Sequence, residues 1–388
     1  MRKQTVSILS SLMVATITTT IPSIAYGVPC QKINKKGNAT SITLGHCGVK
    51  LLAQLHLHQA ENSELDKLLR QARKLVDAQK YQLAIKIYQQ AARLDPKNAQ
   101  IYSGIAYLEA LQENFQAAAQ FYQQAITIDP HNANFQYGLG YAMAKLENYQ
   151  AAVTAYERAS LLDRNNVNTH LGLGAALFRL EKYNEAIIAY QVAIKSSPQN
   201  AEAHAAMGLV LLKQELFPKA LAALEKAVEL SPKDAEIRTK LATALLAAGN
   251  TNEGLANLKM ASGLGERNAD IQFQIGEIYQ AQEKTQAALA AYKKAAYANS
   301  NFLEPRFAAA EILLEQQDYL QAIIIYRRVI GIAPDNAVAH YKMGLALKGR
   351  KRQREALRAF ETALKLFEEQ DDFEGKEKVK TAIAELEN

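Results

Sequence analysis

Residues 201–234 read AEAHAAMGLVLLKQELFPKALAALEKAVELSPKD, and the order of small and large side chains in this stretch decides the fold. Two runs with helical apolar spacing flank a polar break at Gln214 and Glu215, and the stretch closes on Pro232 and Asp234. Moving 34 residues in either direction reproduces the pattern. Nine such units fit from residue 65 to residue 370 without insertion or deletion, starting at Leu65, Ala99, Ala133, Val167, Ala201, Ala235, Ala269, Leu303 and Ala337. A constant period of this size marks a stacked array of repeats rather than a globular enzyme core.

With each unit numbered 1 to 34, three positions stay small. Position 8 is Ala72, Ala106, Gly140, Gly174, Gly208, Ala242, Gly276, Ala310 and Gly344. Positions 20 and 27 are alanine apart from Gly254 and Val329. Small side chains let paired helices approach closely, and such sites cannot grow without overpacking. Position 24 is large: Tyr88, Tyr122, Tyr156, Tyr190, Leu224, Leu258, Tyr292, Tyr326 and Phe360. This stripe follows the period of the fold, so it reads as core rather than as a cofactor box.

Position 34 carries Asn98, Asn132, Asn166, Asn200, Asp234, Asn268 and Asn336, each just before a helical run. They are expected to be N-caps, accepting hydrogen bonds from the first unpaired amides. Acids at position 2, such as Glu202, Glu236 and Asp270, fall at the positive end of the helix dipole and read as helix stabilisers, not general acids. Pro96, Pro130, Pro198, Pro232 and Pro334 share position 32 and are expected to end the second helix of each unit. Arg164, Glu266 and Ser300 take that position without loss of phase, so the period reports helix packing more than turn chemistry.

Together these features resemble the tetratricopeptide repeat, over about four-fifths of the chain. The resemblance implies an all-α fold: a right-handed α-solenoid of about nine stacked helix-turn-helix units over 65–370, closed by a capping helix over 371–388. The Trp usual in the family at position 4 is replaced by Tyr102, His170, His204, Arg238 and His340, which read as packing residues. The unit from Ala235 to Asn268 departs furthest, with Gly249, Gly254, Gly263 and Gly265, and is a candidate flexible point. Glycine weakens a helix by roughly 1 kcal/mol per residue.

Residues 1–27 read as a secretory signal peptide. Arg2 and Lys3 precede a short apolar run from Val6 to Ile21, and Ala25 or Gly27 offers a small-residue cleavage site. The alternative is an uncleaved N-terminal membrane anchor, which Thr18, Thr19, Thr20 and Pro22 argue against. The chain is therefore expected to be exported, to a periplasm or another extracytoplasmic compartment. Its two cysteines, Cys30 and Cys47, lie in the following segment, 28–64, and are expected to form a disulfide. Closing that loop would stabilise the segment by roughly 3 kcal/mol. A metal site with His46, His56 and His58 is the alternative, although the spacing matches no common zinc arrangement.

The net charge of +6 is unevenly spread. Lys348, Arg350, Lys351, Arg352 and Arg354 cluster near a turn, read as solvated and partly offset by the acidic tail; export argues against nucleic acid as its partner. In the family the first helix of each unit lines the partner-binding face through positions 2, 5, 6, 9, 12 and 13. Those positions hold Gly104, Gly138 and Gly172 at position 6, Tyr137 at position 5 and Tyr107 and Tyr141 at position 9. Lys145, Arg179 and Lys213 recur at position 13. The expectation is a groove with a glycine floor, tyrosine walls and a basic rim, suited to an apolar–acidic peptide. The basic residues read equally well as ordinary helix surface. The Lys/Asn/Arg clamp with which some family members hold a C-terminal carboxylate is absent.

Fewer than 40 residues separate the expected cleavage site from the array, too few for an ordinary catalytic domain. No phosphate-cradling glycine loop, GxSxG or HExxH occurs. No catalytic residue, cofactor or metal is therefore expected. The expected function is a non-enzymatic protein–protein interaction scaffold or assembly factor outside the cytoplasm, with proteins or peptides as partners and no stable membrane span after processing. The alternatives are an envelope polysaccharide or cell-surface binding module and an accessory subunit of an envelope enzyme complex. Some family members self-associate, which leaves that question open here.

Overall fold

The computed structural model describes residues 64–264 and 268–387, together with a two-residue antiparallel ladder pairing Lys32 with Thr40 and Ile33 with Ala39. The expected signal peptide, Cys30, Cys47 and the three histidines near them lie outside the described residues. Among the described residues from Glu64 onward, all is helix and short turn. The chain divides into two compact bodies at Pro232/Lys233.

The N-terminal body holds α1 (Glu64–Asp77), α2 (Tyr81–Leu94), α3 (Ala99–Leu111), α4 (Phe115–Ile128), α5 (Ala133–Lys145), α6 (Tyr149–Leu162), α7 (Val167–Arg179), α8 (Tyr183–Ser196), α9 (Ala201–Lys213) and α10 (Phe217–Leu230). The C-terminal body holds α11 (Ala235–Ala247), α12 (Thr251–Leu264), α13 (Ala269–Ala281), α14 (Thr285–Ala298), α15 (Leu303–Glu315), α16 (Tyr319–Ile332), α17 (Ala337–Gly349), α18 (Gln353–Glu369) and α19 (Phe373–Glu387). Each body is a run of antiparallel helix pairs, an α-solenoid segment whose core lies between successive pairs.

The small positions are explained by ring packing. A Cβ on Gly140 would lie 2.8 Å from Cδ1 of Tyr156, and one on Gly172 would lie 2.6 Å from Cζ of the same ring. Tyr156, 1% exposed, is thus seated against the first helix of its own unit and against that of the next. Gly174 with Tyr190, Gly276 with Tyr292 and Gly344 with Phe360 repeat the contact within a unit. Alanines at positions 20 and 27, such as Ala152 and Ala159, are fully buried where the helices cross.

Helix ends follow the sequence with two differences. Asn132, Asn166, Asn200, Asp234, Asn268 and Asn336 accept backbone hydrogen bonds at their helix starts. Asn98 does not; its Nδ2 donates instead to Asp95 Oδ2 at 3.1 Å. The second helices stop at position 30 both before proline, at Leu94 and Ile128, and before arginine, at Leu162. Proline therefore follows the helix end without setting it. Within each unit the chain turns through a residue in the left-handed region at position 15. This is Gln79, Glu113, Glu147, Glu181, Glu215, Glu283, Gln317 and Lys351, with φ between 58° and 62°, and Gly249 at φ 85°. The amide after it returns to a carbonyl five residues back, as Asn114 N does to Glu109 O at 2.9 Å, satisfying the last carbonyls of the first helix.

The final helix covers the last pair. Val379 and Ala382 of α19 are buried beside Phe360 and Phe367, and Lys348 pairs with Glu385 at 2.7 Å.

Candidate functional site

The first helices bring together part of the expected groove. Gly104, Gly138 and Gly172 are buried, as is Tyr107, while Tyr137, Tyr141, Lys145 and Arg179 are half-buried and Lys213 is exposed. The glycines do not lie open. A Cβ on Gly138 would come within 2.3 Å of Tyr122 Cζ, so the room that glycine gives at position 6 is filled by the ring of the preceding second helix. At Gly104 the fit is looser, with Tyr88 Cζ at 3.8 Å. The floor is thus a glycine–tyrosine layer.

Tyr137 stacks obliquely on Tyr156 with ring centroids 5.8 Å apart, and Lys145 Nζ lies 5.6 Å from the centre of the Tyr141 ring. Arg179 turns instead over Tyr149, at 5.6 Å, on the second helix of the preceding unit. The three basic residues therefore do not form one rim: Lys145 belongs with the tyrosines and Arg179 with a neighbouring turn. Burial pushes the Tyr137 hydroxyl above its ordinary value, helped by Tyr141 and Glu202; burial does the same at Tyr141, helped by Glu113. These phenols are neutral at physiological pH and can both donate and accept hydrogen bonds.

In the C-terminal body the same positions carry different chemistry. Position 5 holds Phe273 and Phe307, packed on Tyr292 and Tyr326 with centroids 5.6 Å and 5.7 Å apart. Lys240 at position 6, buried to 5% exposure, is paired with Glu236 at 2.8 Å. Glu311 at position 9 of one unit reaches Lys342 at position 6 of the next at 2.9 Å. Glu277 is at position 9 one unit earlier, half-buried, and burial raises its carboxyl to about 7. Sequence reasoning missed Glu277. Its signal was an acid in the register that elsewhere holds Tyr107 and Tyr141.

The position-4 histidines and Arg306 are caps rather than plain packing, whereas Arg238 reaches Asn257 Oδ1 at 3.3 Å within its own unit. His170, His204 and His340 each place Nε2 within 2.9–3.1 Å of the carbonyl six residues back, that of Arg164, Pro198 or Pro334. Arg306 donates to the carbonyls of Ala296, Asn299 and Phe302. All of these backbone acceptors lie at or just beyond the preceding second helix, so the histidines and Arg306 tie one unit to the next. In the basic cluster, Lys348 and Arg352 are paired with Glu385 and Glu355. Among the described residues no group of three or more His, Cys, Asp or Glu could hold a metal, and no helix is long and apolar enough to cross a membrane.

Residues 69–133 and 273–337 match a family pattern described as tetratricopeptide repeat, as do 109–165 and 211–272 with a second such pattern; 176–215 match a TPR repeat. A tetratricopeptide repeat protein from Parabacteroides merdae is 15% identical over 64% of this chain and 98% of its own, with a TM-score of 0.52. The TPR protein YrrB, whose crystal structure is described as having an unusual peptide-binding site, is 24% identical over 49% of this chain and 98% of its own, with a TM-score of 0.40. MamA from Desulfovibrio magneticus is 22% identical over 43% of this chain and 94% of its own, with a TM-score of 0.41. No curated protein sequence matches the chain.

Proposed function

We propose that this chain, a tetratricopeptide-repeat protein, is a non-enzymatic scaffold that works outside the cytoplasm and holds extended segments or helices of other proteins along its first helices. The observation that carries this reading is the layer formed by Tyr137, Tyr141 and Tyr156 with Lys145 set over the Tyr141 ring. With Tyr156 buried beneath them, the half-buried Tyr137 and Tyr141 offer apolar area together with neutral hydroxyls, and one cation at their margin favours an acidic residue in the bound segment. The export part of the reading rests on Arg2, Lys3 and the apolar run that follows them.

The binding part is tested by capture of partners from the native cell with the wild-type chain and with Tyr141→Ala/Lys145→Glu. Loss of a defined set of proteins supports the groove, and recovery of every partner in equal amount removes it. Export is tested separately by the N-terminus of the mature protein. A mature chain that still begins at Met1 in the cytosol overturns it.

A further inference from the structure

The repeat itself shows what Glu277 lacks. In the Glu311–Lys342 pair, at 2.9 Å, position 9 of one unit meets position 6 of the next. One unit earlier the same step runs from Glu277 to residue 308, and residue 308 is alanine. Glu277 has no ion pair among the described residues, and nothing but burial shifts its carboxyl. One turn before it on α13, the side-chain oxygen of Gln274 is buried and accepts no hydrogen bond. Two acceptors therefore stand side by side without a donor. Phe273, next to Gln274 on α13, packs against both Tyr292 and Phe302. The Tyr292 hydroxyl is already committed as a donor to Gln280 Oε1, at 2.6 Å, and cannot also serve Glu277.

We propose that α13 receives a lysine or arginine side chain from an extended segment of a partner protein, set over Ala308 in the place that Lys342 takes one repeat later, with Glu277 and Gln274 as its acceptors. An ammonium or guanidinium group supplies several donors and the missing charge at once. A segment of chain is the fitting carrier because its apolar neighbours can rest on Phe307, next to the alanine in sequence, and on Phe273 at the same position one unit earlier. This rests on the reading that the first helices carry partner segments, and it assigns the C-terminal body a cationic ligand where the tyrosine layer suits an acidic one.

The test uses the full chain and two labelled peptides of the same apolar sequence, one bearing lysine and arginine and the other glutamate, read by fluorescence anisotropy. The basic peptide is expected to bind. Glu277→Gln, which keeps the side chain's shape, should weaken it roughly tenfold or more. Ala308→Lys supplies the cation from within and should abolish basic-peptide binding while leaving the acidic peptide unaffected. Equal binding of the basic peptide to wild type, Glu277→Gln and Ala308→Lys overturns the proposal, as does failure of the basic peptide to bind wild type. Equal displacement of the peptide by spermidine at matched charge concentration overturns it too, since the site would then take any small cation. If the basic peptide behaves as expected but the acidic peptide ignores Tyr141→Ala/Lys145→Glu, the tyrosine-layer reading fails and this one stands.

Discussion

Glycine at positions 6 and 8 is the residue on which neighbouring helices close. Gly138 faces the Tyr122 ring at a distance no side chain could share, and Tyr122 is itself only 4% exposed and has nowhere to retreat. Gly138→Ala is therefore expected to destabilise the N-terminal body by about 2 kcal/mol, the usual cost of overpacking, measurable by urea unfolding. Gly249 makes the opposite case. A Cβ there would meet nothing within 4 Å, but φ is 85°. Gly249→Ala should cost about 1 kcal/mol from backbone strain alone. Glu277 gives a pH signature. Its folded-state carboxyl titrates near 7 against an ordinary value of 4.5, so the folded chain holds the proton more tightly than the unfolded one. Stability attributable to this group then rises as pH falls from 7 towards 4.5, and its burial cost is fully present above 7. Glu277→Gln should raise the melting temperature at alkaline pH and have little effect near pH 4.5.

At the scale of the element, the helices are locked by devices of unequal visibility. Asparagine before a helix is a local signal, and six of the seven expected caps form; Asn98 is drawn off by Asp95 three residues earlier. Position 4 is different. His204 and Arg306 look alike only once both are seen to serve carbonyls at the preceding helix end. Arg306→Met keeps the apolar stem but takes the guanidinium donor from three carbonyls, of which Asn299 O keeps the Phe302 amide at 3.3 Å. It should destabilise the C-terminal body by about 3 kcal/mol, read from its thermal or denaturant transition. A second tie joins successive units at the turn: Gln82 donates to Gln112 at 2.7 Å, Gln214 to Asn184 at 2.9 Å and Gln286 to Gln316 at 3.2 Å, each pair 30 residues apart.

At the scale of the whole molecule, a stack of repeats needs cover over its last apolar face. Val379 is 0% exposed and Ala382 4%, both against the last helix pair. Removing residues 373–388 should uncover Phe360 and Phe367, lower the melting temperature and raise binding of a hydrophobic dye. An unchanged transition would show that α19 is dispensable.

The period, the pairing of helices and most of their caps are properties of chain order, because a helix is built from contacts three and four residues apart and a repeat restates them every 34 residues. The tyrosines and glycines of the candidate site were legible for the same reason. Which of them remain open to a ligand was not. Gly138 is filled by a ring from the preceding unit, Arg179 leaves the groove for Tyr149, and the register sets an alanine opposite Glu277 where Glu311 meets a lysine. Burial and charge compensation are sums over groups on other helices, so tertiary packing alone determined which positions were filled and which acid was left without its cation.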